Sequence, residues 1–125
     1  MTDLEPTVDR YIAIWNESDA GRRGELIART WTEDAAYLDP LMSGDGHDGL
    51  DAMIAAAQAQ VPAGCRFRRT GAVDAHHDRV RFGWELVGPD GAMLAVGLDF
   101  GEVAADGRLR RVTGFLPEPA GAATP

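Results

Sequence analysis

Three side chains stand where their chemistry is out of step with their surroundings. Asp99 lies inside an apolar run, between Leu98 and Phe100, where a strand disfavours an acid. Its alternate neighbours Ala95 and Gly97 are small and leave space over one face. On that face the carboxyl is desolvated, and its pKa should rise above the ordinary value of about 4. The competing reading is a solvent-facing acid at a bulge, or one paired with an arginine. Asp39 follows Tyr37 at strand spacing and precedes Pro40. It is either a carboxylate at a pocket mouth, able to take a proton, or the initiator of an Asp-Pro turn. Tyr11 falls on an apolar helical stripe, where a tyrosine commonly packs in the core with its hydroxyl bonded to a backbone carbonyl. Trp15, Trp31, Tyr37, Phe82, Trp84 and Phe115 read as core or cavity wall, and Met42 joins them as a candidate ligand contact.

Other chemistries find no residues to carry them. The twelve basic residues are all arginine, so neither a lysine Schiff base nor a P-loop is available. There is no GxSxG elbow. Cys65 is the only cysteine, which rules out an internal disulfide and a cysteine-rich zinc site. His76 and His77 are adjacent and chelate poorly together, so no metal and no cofactor is expected. The net charge is −8, which makes nucleic acid and anionic membrane unfavourable partners. Arg22-Arg23, Arg66 with Arg68 and Arg69, and Arg108 with Arg110 and Arg111 cluster and read as decoration of solvent-facing sheet edges. The acidic start of the chain does not look like a targeting peptide, and a cytoplasmic protein is expected.

The elements that must position these groups follow from periodicity. In 125 residues, 45% hydrophobic and 26% charged, there is room for one core. Val8, Tyr11, Ile12 and Trp15 mark one face of a first helix, with Pro6 in its first turn. Asp19 caps a second helix carrying Leu26, Ile27, Thr30 and Trp31. Residues 35–38 are extended, with Ala35, Tyr37 and Asp39 on one face, and residues 42–46 form a loop. Asp48 caps a third helix with Leu50, Met53, Ile54, Ala57 and Val61 inward, stopped by Pro62 and Gly64. Four long strands follow, at 65–73, from Val80 to Leu86, at 93–103 and at 108–116, punctuated by turns such as Gly88-Pro89-Asp90-Gly91. Helices first and a strand meander afterwards make an α+β domain, with about three N-terminal helices on one face of the sheet. The strand from Met93 is apolar on both faces, so the face the helices leave bare should meet a second copy, giving a homodimer. Residues 118–125 are expected to be a flexible tail.

The segments Arg10–Asn16, Trp31–Pro40 and His47-Asp48-Gly49 resemble the nuclear transport factor 2-like superfamily. So do Leu98-Asp99, Asp106–Leu109, Val112 and Phe115. Within the superfamily the chain is similar to the SnoaL-like branch, over about residues 7–117. The resemblance implies a curved, mostly antiparallel sheet forming a cone-shaped barrel with a pocket. Tyr11, Asp39 and Asp99 match the positions of the catalytic groups of ketosteroid isomerases. The resemblance assigns the aspartate before the proline as general base, and the tyrosine with a protonated second aspartate as oxyanion donors. Tyr37 makes the pocket more polar than theirs. SnoaL-like cyclases use an acidic residue for an aldol closure, so the same carboxylates fit that reaction too. The expected ligand is a small apolar molecule containing a carbonyl. The alternatives are non-catalytic binding of such a ligand or of a protein partner, and epoxide hydrolysis by an arginine–aspartate arrangement.

Overall fold

A computed structural model describes residues 3–117, and the expected tail at 118–125 lies outside the described residues. Helix α1 spans Glu5–Asn16, with proline in its first turn and Val8, Tyr11, Ile12 and Ile14 buried. Helix α2 spans Ala20–Thr30, and the Asp19 carboxylate accepts the Arg22 amide at its start, as a capping residue should. Trp31, expected on this helix, instead opens strand β1 at Trp31–Leu38. Its amide closes the helix by donating to the Ile27 carbonyl, and its ring then drops into the core with no exposed surface.

The expected loop at 42–46 contains a short strand, β2 at Ser43–Asp45, which turns back antiparallel along β1. Helix α3 spans Gly46–Gln60. Its capping position is Asp45, without a side-chain bond, and Asp48 sits in the first turn instead. Four strands complete the chain: β3 at Arg66–His76, β4 at Arg79–Val87, β5 at Met93–Val103 and β6 at Leu109–Phe115. Among the described residues no helix is long and apolar enough to cross a membrane.

The six strands form one mixed sheet in the order β2-β1-β6-β5-β4-β3. Short turns make the β3–β6 meander antiparallel, while β1 joins β6 in parallel. Register breaks in β3, β4 and β5 are the devices that bend a sheet. In β3 the break includes Gly71 at φ 68°. The sheet wraps the helices without closing, so the expected barrel is an open, curved sheet with β2 and β3 as its edges. The β3 edge is partly covered. Asn16, at the end of α1, donates to the Phe67 carbonyl at 2.8 Å and accepts its amide at 2.7 Å, as a neighbouring strand would.

The core lies between the helices and the concave face, around Val8, Ile14, Ile27, Trp31, Leu50, Ile54, Leu109 and Val112. The convex face is bare. Leu94, Val96, Leu98 and Phe100 on β5 and Phe115 on β6 are all exposed there.

Candidate functional site

Strand alternation turns Asp99 to the concave side, between inward-facing Gly97 and Gly101. These glycines leave room that larger neighbours would fill: a methyl group on Gly97 would overlap the Trp84 indole. That ring crosses the strand and donates from Nε1 to Asp99 Oδ1 at 3.2 Å. Tyr11, reaching in from α1, donates to Asp99 Oδ2 at 2.7 Å. Asp99 is only 2% exposed. Burial pushes its pKa up to about 6, against the two hydrogen bonds that favour the charged form and with a small further push from Asp39. The Tyr11 phenol is held far above its usual range by burial and then by the Asp99 charge, so it remains a neutral donor.

A second tyrosine–aspartate pair stands beside the first. Tyr37 on β1 donates to Asp39 Oδ2 at 2.6 Å. The other oxygen, Oδ1, accepts the Leu41 and Met42 amides at 2.8 and 2.9 Å. This is the turn an Asp-Pro dipeptide initiates, and the same residue borders the cavity. The Tyr37 phenol is raised, first by burial, then by the charges of Asp99 and Asp39.

The two pairs meet over Gly114, which faces Asp99 across the β5–β6 ladder. A methyl group there would lie 2.9 Å from both Asp99 Oδ1 and the Tyr37 hydroxyl, and 3.1 Å from Asp39 Cβ. Gly114 was not among the expected site residues. Its signal was a glycine at an inward position in the middle of a strand.

Above this polar floor opens a cavity of about 390 Å³, within the range of small-molecule sites. Its walls include Trp15, Met42, Phe67, Trp84, Leu86 and Leu116, with Leu41 at the rim and Gln60 as a neutral polar group. Among the described residues no arginine or histidine lines it. The lining is apolar surface with the phenol and carboxyl groups gathered at one end. A depression of about 420 Å³ on the convex face is of another kind. Its charges are already spent on the Arg81–Asp74 and Arg111–Glu102 pairs.

Of the expected residues, Tyr11, Asp39, Asp99, Trp15, Tyr37, Met42 and Trp84 line the cavity. Trp31, Phe82 and Phe115 do not. Trp31 and Phe82 are buried behind Tyr11, their ring centroids 5.8 and 5.3 Å from its own, where they hold the phenol in place. Phe115 points to the convex face against Phe100, because Gly114 takes the inward slot and alternation sends its neighbour outward. Phe67, Leu86 and Leu116 line the cavity without having been singled out. The histidines stay away: His47 contacts the Trp31 carbonyl, and His76 and His77 pair in the β3–β4 turn.

No family model matches the chain, and no curated protein does. Solved structures do. A protein of the SnoaL-like family from Agrobacterium tumefaciens str. C58, named a candidate isomerase, is 42% identical, with a TM-score of 0.88 over 94% of this chain and 100% of that one. A candidate polyketide cyclase from Sinorhizobium meliloti is 17% identical, with a TM-score of 0.67 over 90% and 95% of the two chains. A protein with a ketosteroid isomerase-like fold from Catenulispora acidiphila, solved with trimethylamine, is 13% identical, with a TM-score of 0.70 over 88% and 84%. The last two likenesses are of fold alone.

Proposed function

The chain belongs to the SnoaL-like family, within the nuclear transport factor 2-like fold, and from that premise we propose that it is a cofactor-independent acid/base enzyme. It moves a proton next to a carbonyl on a small apolar substrate, as an isomerase or a cyclase. The observation that carries this reading is the convergence of Asp39, Tyr11 and Asp99 on the floor of one apolar cavity.

Asp39 is the base. Its Oδ1 is fixed by two backbone amides, so Oδ2 is presented in one orientation. The C–H bond breaks, an O–H bond forms on Asp39, and the electron pair moves onto the carbonyl oxygen as an enolate. Tyr11 and protonated Asp99 donate to that oxygen without a formal positive charge, which stabilises the enolate without trapping it as an ion pair. With its pKa near 6, Asp99 takes up a proton at neutral pH as an enolate-like ligand binds. Return of the proton to another carbon completes an isomerisation. Attack of the enolate carbon on a second carbonyl forms a C–C bond and an alkoxide, and transfer of the proton from Asp39 to that oxygen completes a cyclisation.

A second reading, non-catalytic binding in the same cavity, draws on one observation. Asp39 already accepts three hydrogen bonds, which leaves few lone pairs for a substrate proton. Deuterium exchange beside the carbonyl of β-tetralone, followed by NMR, separates the two. Exchange above the buffer rate supports the enzyme. Binding of β-tetralone with exchange only at the buffer rate supports the binding module.

The exposed Leu94, Val96, Leu98, Phe100 and Phe115 also support a homodimer through the convex face. Light scattering in dilute solution that gives only the 13.4 kDa monomer mass rejects it.

A further inference from the structure

Tyr37 has more to do than line the wall. Resting on the acid/base reading above, we propose that its hydroxyl alternates between two acceptors. In the free protein it clamps Asp39, and once Asp39 has taken a proton it turns to the enolate oxygen. This makes Tyr37 a third donor to the reacting ligand, available only after the proton has moved.

The geometry supplies each part. Tyr37 and Asp39 are two residues apart on one strand, so they share a face, and the hydroxyl reaches Oδ2 at 2.6 Å. The Asp39 carboxylate cannot swing away to release Tyr37, because its Oδ1 is tied to the Leu41 and Met42 amides. The adjustable member is therefore the tyrosine proton, which moves by rotation about the C–O bond alone.

The second acceptor would arrive with the ligand, in the same cluster. A methyl carbon on Gly114 would be 2.9 Å from the Tyr37 hydroxyl and 2.9 Å from Asp99 Oδ1. Tyr37 thus stands close to Asp99, one of the two groups that would hold the enolate. The titratable groups that share the cavity with Asp39 are Tyr37 on its own strand, Tyr11 from α1 and Asp99 from β5, and among the described residues no arginine or histidine lines it.

The chemistry then favours the exchange. While Asp39 is ionised, Oδ2 is a strong acceptor and holds the tyrosine proton. When Oδ2 takes the substrate proton it becomes a donor and a much weaker acceptor, and the negative enolate oxygen outcompetes it for the tyrosine O–H. The tyrosine O–H is not cleaved; it turns toward the new negative charge. A donor engaged in the ground state and freed by the proton transfer binds the enolate more strongly than the ketone, which is the differential that accelerates a reaction.

The test needs two probes of one shape: β-naphthol as the enolate mimic and β-tetralone as the neutral ketone. Tyr37→Phe removes the hydroxyl and keeps the ring. Asp39→Asn stands in for the protonated base, because its amide NH2 is a donor where the ionised Oδ2 was an acceptor. In that background the proposal expects Tyr37→Phe to weaken β-naphthol binding roughly tenfold, the usual reach of one hydrogen bond to a charged group, and β-tetralone binding by less than about twofold. In exchange kinetics of the chain with Asp39 intact, Tyr37→Phe should lower kcat and hold KM. Tyrosine occurs only twice in the chain, so ring-labelled tyrosine gives two NMR signals, assigned by the spectrum of Tyr37→Phe or of Tyr11→Phe. With β-naphthol the Tyr37 signal should shift in Asp39→Asn and hold in wild type, where Asp39 stays ionised, a readout that survives even if Tyr37→Phe fails to fold. Equal loss of both probes, or a Tyr37 signal that ignores β-naphthol in Asp39→Asn while the Tyr11 signal moves, overturns the proposal and leaves the acid/base reading standing. Failure of wild type to bind either probe overturns both.

Discussion

The two tyrosine–aspartate pairs on the cavity floor use the same two side chains and hold them in opposite ways. Asp99 sits mid-strand, 2% exposed, with only side-chain donors, Tyr11 and Trp84. Asp39 sits at a strand end, half-buried, and two of its three donors are backbone amides of the turn it initiates. Desolvation rules the first and raises its pKa to about 6. The second is organised by the backbone of its own turn, which fixes one oxygen and leaves the other to Tyr37. Position in the fold, not residue type, separates the surroundings of the two carboxyls.

The largest effect should come from removing the acceptor. Asp39→Asn keeps the shape but cannot take a proton. Exchange at β-tetralone should fall by roughly 10²–10⁴-fold, the usual worth of a positioned base, while β-naphthol still binds within a few-fold. An unchanged exchange rate would remove Asp39 from the mechanism and break the contrast between the pairs.

The next effect comes from the floor beneath both pairs. Gly114→Ala places a methyl 2.9 Å from Asp99 Oδ1 and from the Tyr37 hydroxyl. Overpacking of this kind costs about 1–3 kcal/mol. We expect urea unfolding to show that loss, with at least tenfold weaker β-naphthol binding. Normal binding would mean that the two pairs do not depend on their common support.

A third experiment isolates the buried acid. The folded pKa of Asp99, near 6, lies above its unfolded value of about 4, so ionisation favours the unfolded chain. Its contribution to stability is intact below pH 4, declines as pH rises through 6, and is gone above that. The loss amounts to about 3 kcal/mol at 1.36 kcal/mol per pKa unit. Asp99→Asn carries no such penalty. Compared with wild type it should gain about 2–3 kcal/mol at pH 7.5, show no difference attributable to this titration at pH 3.5, and lose the slope between. Parallel slopes in denaturant titrations across pH 4–7 would show that Asp99 is not the desolvated member.

The smallest effect is a deliberate absence. Phe115→Ala lies on the convex face, outside the cavity. Binding of β-naphthol, measured by calorimetry, should stay within about twofold. A larger loss would place the site on the other side of the sheet.

The amino-acid sequence singled out Tyr11, Asp39 and Asp99 as unusual, and only the resemblance to ketosteroid isomerases joined them into one site. Helical spacing put Tyr11 on the apolar stripe with Val8 and Ile12. Strand alternation put Tyr37 and Asp39 on one face and left Asp99 open between the inward and the solvent side. Side-chain chemistry marked the Asp19 cap and the Gly88–Gly91 turn. What escaped was decided by partners far apart in the chain. Trp31 left its helix for a strand that pairs in parallel with β6, with Trp31 set against Leu109. Ser43–Asp45 became a strand only because β1 lies beside it. Gly114 gained its importance from Tyr37, Asp39 and Asp99, brought in by β1, the turn after it and β5, and its place in the alternation sent Phe115 outward. Periodicity carries which way a side chain points relative to its own backbone. Which strand neighbours which, and how far a curved sheet closes over a cavity, depend on contacts between residues tens of positions apart, and only the folded chain contains those.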